Sequence, residues 1–328
     1  MKTRRFGKTD WQVSEIGFGA WAIGGAWGDV SEKDAEAALN AALDSGVNLV
    51  DTADVYGDGR SETIISNVLK SRKQDNIKVL TKLGRGLSPH IASGFNKANL
   101  EGFINRSLKK LDVDKIDLIQ LHCPPTEVYY MPEVFDFMDD FVKAGKICHY
   151  GVSVEKVEEA LKAIEYPSVV SVQLIFNILR QRPAELLFEL AKKKDIALLA
   201  RVPLASGLLS GKFDRNSTFA DDDHRKFNRY GEAFDVGETF AGIPFEVGLE
   251  VIEELRKIIP DQIPMSQYAL KWILMHDAVS CVIPGAKNEE QATGNSLAQD
   301  LPALDGAQMQ AIKKLYESKV KPLVHYKW

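Results

Sequence analysis

The segment Asn48-Leu-Val-Asp51-Thr-Ala-Asp54-Val-Tyr56-Gly57 carries an apolar run that ends on an acid, with a tyrosine five residues later. Two further runs, Ile77-Lys-Val-Leu-Thr-Lys82 and Ile116-Asp-Leu-Ile-Gln-Leu-His122, also end on one functional group. A carboxylate, a phenol, an ammonium and an imidazole delivered in this order suit proton donation to a carbonyl. Reducing a carbonyl takes a hydride on carbon and a proton on oxygen. No side chain donates hydride, so this chemistry requires a nicotinamide cofactor. A free tyrosine, with a pKa of about 10, donates poorly at neutral pH. A buried lysine beside it stabilises the phenolate and lowers that value, and a carboxylate keeps the lysine charged. Histidine can hydrogen-bond the carbonyl oxygen and orient it. The roles that follow are Tyr56 as general acid, Lys82 as its tuner, Asp51 as the lysine's partner and His122 as the orienter.

Each residue alone has a plainer reading. Asp51 can cap a loop, Tyr56 can pack beside its glycine, and a lone histidine is more often a core group. Three successive strand ends plus the tyrosine favour the joint reading. A Schiff-base lyase on Lys82 and a metal hydrolase using Asp51, Asp54 and His122 are alternatives, although Lys82 would repel a cation there. Cys123 neighbours His122, but adjacent strand residues face opposite ways, so it reads as packing.

What must position these groups is a set of strands. Candidate strands are Ile16 to Ala20, Val47 to Thr52, Ile77 to Lys82, Ile116 to His122, Cys148 to Ser153, Ser171 to Phe176, Ala197 to Pro203 and Val279 to Pro284. Most are too continuously apolar to alternate, as in a parallel sheet covered on both faces. Helical patterns lie between them, at 31–46, 99–111, 132–144, 154–164 and 183–193, the first with a serine cap and a closing glycine. The expectation is an α/β fold, a (β/α)8 TIM barrel with an N-terminal β-hairpin and extra C-terminal helices, forming one domain over 1–328. Functional groups of such barrels gather at the carboxyl ends of the strands. Residues 1–15 read as a hairpin plugging the barrel floor, and 212–245 as a long loop acting as a cofactor or substrate lid.

The second half offers a cradle for phosphates. Arg201-Val-Pro203-Leu204-Ala-Ser-Gly207-Leu-Leu-Ser-Gly-Lys212 follows the seventh strand, and Pro284-Gly285-Ala-Lys287-Asn-Glu-Glu-Gln291 follows the eighth and leads into a helix. Loops after strands seven and eight, with a helix N-terminus, are a recurrent phosphate site in barrels. No Gly-x-Gly-x-x-Gly follows a strand, which speaks against a Rossmann domain.

Composition agrees with an ordinary globular enzyme. The chain has 328 residues, 45% hydrophobic and 27% charged, with a net charge of −5. Its basic residues are dispersed, so no nucleic-acid partner is expected. Its apolar runs fall short of the ~20 residues that cross a bilayer, so no membrane partner is expected either. No apolar stretch follows the first basic residues, and three cysteines suit reduced thiols, so the expected location is cytoplasmic.

Over nearly its whole length the chain resembles an aldo-keto reductase, of the bacterial branch similar to the potassium-channel β-subunit. The match is carried by Asp51-Thr-Ala-Asp-Val-Tyr56-Gly57, Thr81-Lys82, Leu121-His122, Gly151-Val-Ser153, Gln173, Pro203-Leu-Ala-Ser-Gly207, Ser210-Gly-Lys212 and Pro284-Gly-Ala with Gln291 and Asn295. The resemblance implies NADP(H)-dependent reduction of a small-molecule carbonyl, or the reverse oxidation, by a monomer or weak homo-oligomer. A slowly turning NADPH-binding redox sensor is the alternative. It implies that Ser153 and Gln173 hold the nicotinamide carboxamide and that Gly207 and Lys212 contact the pyrophosphate. Lys287 and Gln291 are implied at the 2′-phosphate and Asn295 near the adenine, with Trp21 and Trp27 as pocket walls. Four positions depart from the pattern. Val154 replaces a common asparagine, Arg201 stands where an aromatic ring often stacks on the nicotinamide, Gln291 replaces a phosphate-gripping arginine, and Gly294 stands where an acidic adenine contact is common. Lysine is a point charge rather than a fork, so a modest preference for NADPH is expected.

Overall fold

The computed structural model describes residues 1–25, 27–72 and 75–328. Among the described residues there are ten strands: β1 (Thr3–Arg5), β2 (Gln12–Ser14), β3 (Phe18–Gly19), β4 (Leu49–Asp51), β5 (Lys78–Leu83), β6 (Ile116–His122), β7 (Ile147–Ser153), β8 (Val169–Ile175), β9 (Ala197–Arg201) and β10 (Val279–Val282). The last eight form one sheet in the order β10-β9-β8-β7-β6-β5-β4-β3, every pairing parallel. Parallel bridges Ile16 to Val282 and Gly19 to Gly285 join its two edges, with Gly17 N donating to Val282 O at 2.8 Å. The sheet is therefore closed into the expected barrel. Strands β8 and β9 are buried along their whole length, since helices cover the outside and side chains fill the inside.

The hairpin β1–β2 pairs Thr3 with Ser14 and closes the amino-terminal end of the barrel. Phe6 and Val13 pack against Leu49, Leu80, Leu118 and Leu199. Phe6 and Val13 are fully buried there, and burying one such phenylalanine is worth roughly 1.5–3 kcal/mol.

Helices Glu32–Asp44, Lys97–Leu111 and Pro132–Lys143 lie where the periodicity puts them. Ser31 caps the first by accepting from Asp34 N at 3.1 Å. Two starts differ. The helix expected from Val154 begins at Val157, because Glu159 accepts from Lys156 N at 3.0 Å and Glu155 N at 3.1 Å and sets the first turn there. The helix expected from Pro183 begins at Leu187, because Arg182–Ala184 forms a separate 3-10 turn and Leu186 is non-helical. Helices Arg60–Lys70, Phe245–Arg256, Met265–Leu274, Glu289–Ser296 and Gly306–Leu315 complete the outside. Among the described residues no helix is long and apolar enough to cross a membrane.

Residues 212–245 form a folded layer, and Lys212, Phe213, Arg225 and Glu238 from it line a cavity at the carboxyl ends of the strands. Asn228 accepts from Ala233 N at 2.8 Å and Phe234 N at 2.9 Å, and its amide donates to Thr239 Oγ1 at 3.2 Å. Phe213, Phe219, Phe240 and Phe245 form an aromatic cluster with ring centroids 5.0–6.4 Å apart. The C-terminal Trp328 packs on this layer instead of entering the cavity. Its indole Nε1 donates to Asp235 Oδ2 at 3.0 Å, and the Arg180 guanidinium lies 3.6 Å from its ring. Gly242 fits beneath that ring only because it lacks a Cβ, which would sit 2.5 Å from Trp328 Cη2.

Candidate active site

A cavity of about 340 Å³ opens at the carboxyl ends of the strands. Asp51, Tyr56 and His122 line it. Lys82 lies just beneath, fully buried, and its ammonium donates to Asp51 Oδ2 at 2.6 Å, Thr52 O at 2.8 Å and Tyr56 Oη at 3.3 Å. Lys82 thus touches both groups that the spacing assigned to it. The rings of Tyr56 and His122 stand edge to face at 6.0 Å. Residues far apart in sequence meet because strand ends are level around the barrel: His122 pairs with Ser153, and Ser153 with Gln173.

The electrostatics of the tetrad follow from burial and the Lys82–Asp51 ion pair. Burial pulls the Lys82 ammonium down, but Asp51 and Tyr56 more than offset this and hold it above its ordinary value. Burial raises Asp51, against the opposing Lys82 and the Gln173 amide. Tyr56 ends above its ordinary value, contrary to the expected lowering: burial outweighs the pull of Lys82, and Asp51 and Glu238 add to it. Burial, with Arg85, Lys82 and Arg201 nearby, holds His122 well below its ordinary value, so the imidazole is neutral.

Of the residues implied for a cofactor, Gln173, Arg201, Pro203, Leu204, Gly207, Lys212, Gly285, Lys287, Gln291 and Asn295 all line this cavity. Ser153 does not. It is fully buried, its hydroxyl 3.6 Å from Cys123 Sγ. Gln173 is already engaged, donating from Nε2 to Asp51 Oδ1 at 2.7 Å. Arg201 is engaged as well, with Nη2 on Glu155 at 2.9 Å and on Val154 O at 3.2 Å. Trp21 and Trp27 form the wall, edge to face at 5.5 Å, and Trp21 stacks 6.1 Å from the Tyr56 ring.

The cavity suits an elongated anionic ligand. Among the described residues neither Lys212 nor Lys287 forms an ion pair, and Lys287 instead donates to Trp27 O and is held below its ordinary value, chiefly by burial and then by Arg225. After β9 the backbone is left-handed at Val202 (φ 50°), Ala205 (φ 47°), Ser206 (φ 56°) and Gly207 (φ 89°). Left-handed β-branched residues such as Val202 cost on the order of 1–3 kcal/mol and persist where the surroundings dictate them, commonly at binding sites.

Several residues at the site escaped the sequence reading. Arg85 lies three positions past Lys82, and Glu155 two past Ser153; both follow barrel strands, and that position was the available signal. Glu238, His224, Arg225 and Phe234 sit in the 212–245 layer, whose sequence carries no period to place them. His224 lies 4.7 Å from Trp21 and 4.5 Å from Trp27, ring to ring.

A closed parallel barrel with an acid, a lysine-linked tyrosine and a neutral histidine above a basic cavity defines a class of oxidoreductase. The Aldo/keto reductase family model matches residues 15–317, and the chain belongs to that family. Aldo-keto reductase YhdN of Bacillus subtilis (strain 168) is 31% identical over 285 residues, 85% of this chain and 83% of the relative. A probable voltage-gated potassium channel subunit beta of Arabidopsis thaliana is 28% identical over 336 residues, 98% of each chain. The holo form of aldo-keto reductase AKR11C1 from Bacillus halodurans superposes with a TM-score of 0.77 at 27% identity, covering 96% of each chain.

Proposed function

We propose that the protein is an NADP(H)-dependent oxidoreductase that reduces aldehydes and ketones to alcohols, or runs the reverse reaction, with Tyr56 as proton donor. The observation that carries this reading is the Asp51–Lys82–Tyr56 chain of contacts at 2.6 Å and 3.3 Å, at one cavity with Lys212 and Lys287, which form no ion pair among the described residues. When bound, the nicotinamide cofactor supplies the hydride that no side chain can give. Tyr56, raised above its ordinary value, keeps its proton through neutral pH and hands it to the carbonyl oxygen. The Lys82 ammonium stabilises the phenolate left behind, and Asp51 keeps that ammonium charged. Neutral His122 offers one N–H to the carbonyl oxygen and orients it. Lys287 would meet the 2′-phosphate, Lys212 and the Gly207 backbone the pyrophosphate, and Gln173 the carboxamide through the oxygen that Asp51 leaves free.

The potassium-channel relative favours a second reading, an NADPH-binding redox sensor with slow turnover. Steady oxidation of NADPH by 4-nitrobenzaldehyde, over many turnovers, supports the reductase. A single turnover followed by arrest supports the sensor. Tyr56→Phe is expected to lower kcat/KM by about 10²–10⁴-fold with NADPH affinity preserved; an unchanged rate would remove the proton-donor assignment.

A further inference from the structure

Beside Tyr56 and His122 the cavity wall holds a four-charge cluster. Arg201 at the end of β9 meets Glu155 at 2.9 Å and Glu238 at 3.5 Å, and Arg85, beyond β5, meets the same carboxylates at 3.5 Å and 3.2 Å. We propose that Glu238 is the specificity residue of this site: its carboxylate fills the anion place between Arg85 and Arg201, so the pocket admits uncharged carbonyl compounds and turns away those bearing a carboxylate. The inference deepens the reductase reading and rests on it for the word substrate.

Three observations carry it. Glu238 and Arg201 line the same cavity as Tyr56 and His122, so the cluster faces whatever the tyrosine protonates. With Glu155 ionised, the charges of the cluster cancel: two guanidiniums face two carboxylates, Lys82 is matched by Asp51, and His122 is neutral. A ligand carboxylate entering this wall finds no uncompensated cation, and shedding its water without one is costly. Glu238 is also the replaceable member. Glu155 lies two residues past the end of β7, whereas Glu238 comes from the 212–245 layer and shares one oxygen between two arginines, an oxygen with no regular hydrogen bond.

The position of Glu238 does not depend on its charge. Ser206 Oγ donates to its carbonyl at 2.8 Å, and Asp235, held by Trp328, accepts from Gly237 N at 2.7 Å. Glu238→Gln should therefore keep the backbone and remove only the charge, leaving one guanidinium charge open to the cavity.

The test is calorimetric binding of benzoate and of benzamide at pH 8.5, where Glu155, pushed up to about 7 chiefly by burial and held beside Glu238, is ionised. Glu238→Gln is expected to bind benzoate at least about tenfold more tightly than wild type, as an uncompensated nearby charge allows, with benzamide little changed. Arg85→Gln should weaken benzoate, and the double variant should return to the wild-type value. Equal benzoate affinity in wild type and Glu238→Gln, or a gain that survives in the double variant, overturns the proposal. Turnover of 4-carboxybenzaldehyde against 4-nitrobenzaldehyde separates it from the reductase reading. A wild type that reduces the nitro compound but shows the same ratio as Glu238→Gln sinks this inference alone. A benzoate gain in a protein that reduces neither aldehyde keeps the charge gate and sinks the reductase.

Discussion

Gln173 donates its amide N–H to Asp51 Oδ1 at 2.7 Å, across 122 residues of chain, while Lys82 takes Oδ2 of the same carboxylate at 2.6 Å. The carboxylate is thus fixed from two sides, and Gln173 is a positioning residue for the Lys82 ammonium as well as a candidate cofactor contact. Gln173→Leu removes a charge-assisted bond to a buried acceptor, a loss of about 1–3 kcal/mol in stability. Urea unfolding should register it, and the KM for NADPH should rise in parallel if the amide oxygen also meets the cofactor.

Lys82→Met should be more damaging than its loss of function alone implies. Asp51 would be left buried and unpaired, and breaking such a pair costs about 3–5 kcal/mol. Adding Asp51→Asn should recover most of that stability without recovering activity. Denaturation of the two variants side by side checks this; a double variant no more stable than the single would refute the pairing argument.

Asp54 makes stability depend on pH. Its carboxyl is fully buried with no side-chain hydrogen-bond donor on either oxygen, and burial, then Glu62, push it from 3.8 up to about 7. Because the folded value lies above the unfolded one, this residue costs nothing below about pH 4, and stability falls as pH rises from there through about 7. At about 1.4 kcal/mol per unit the fall amounts to several kcal/mol. Asp54→Asn should flatten this dependence, visible as a smaller loss of Tm between pH 5 and pH 8 in the variant than in wild type.

Lys287 should control the choice between the two nicotinamide cofactors. Replacing it with methionine is expected to weaken NADPH binding by roughly tenfold, as losing one charge-assisted contact of about 1.5 kcal/mol would. NADH binding should hardly change. Equal weakening of both would mean that the lysine serves the Trp27 carbonyl it contacts, not a 2′-phosphate.

The strands and the four groups at or near their ends were legible in the chain itself. Strands buried on both faces must be continuously apolar, so a lone Asp51, Lys82 or His122 ending such a run stands out against its surroundings. The plug was legible from a different signal: its short β-rich pieces flank the turn at Gly7-Lys-Thr-Asp10, and the structure pairs β1 with β2 around it. Two matters lay beyond local pattern. One was the tyrosine's acidity, because Lys82 pulls it down while burial pushes it up, and only the depth of the site says which is larger. The other was the Arg85–Glu155–Arg201–Glu238 wall, assembled from three strand ends and a layer with no periodicity. Charge on a sequence has a sign but no address. Which arginine meets which glutamate is decided by barrel closure and by Trp328 anchoring the 235–242 segment, contacts that join residues tens to hundreds of positions apart.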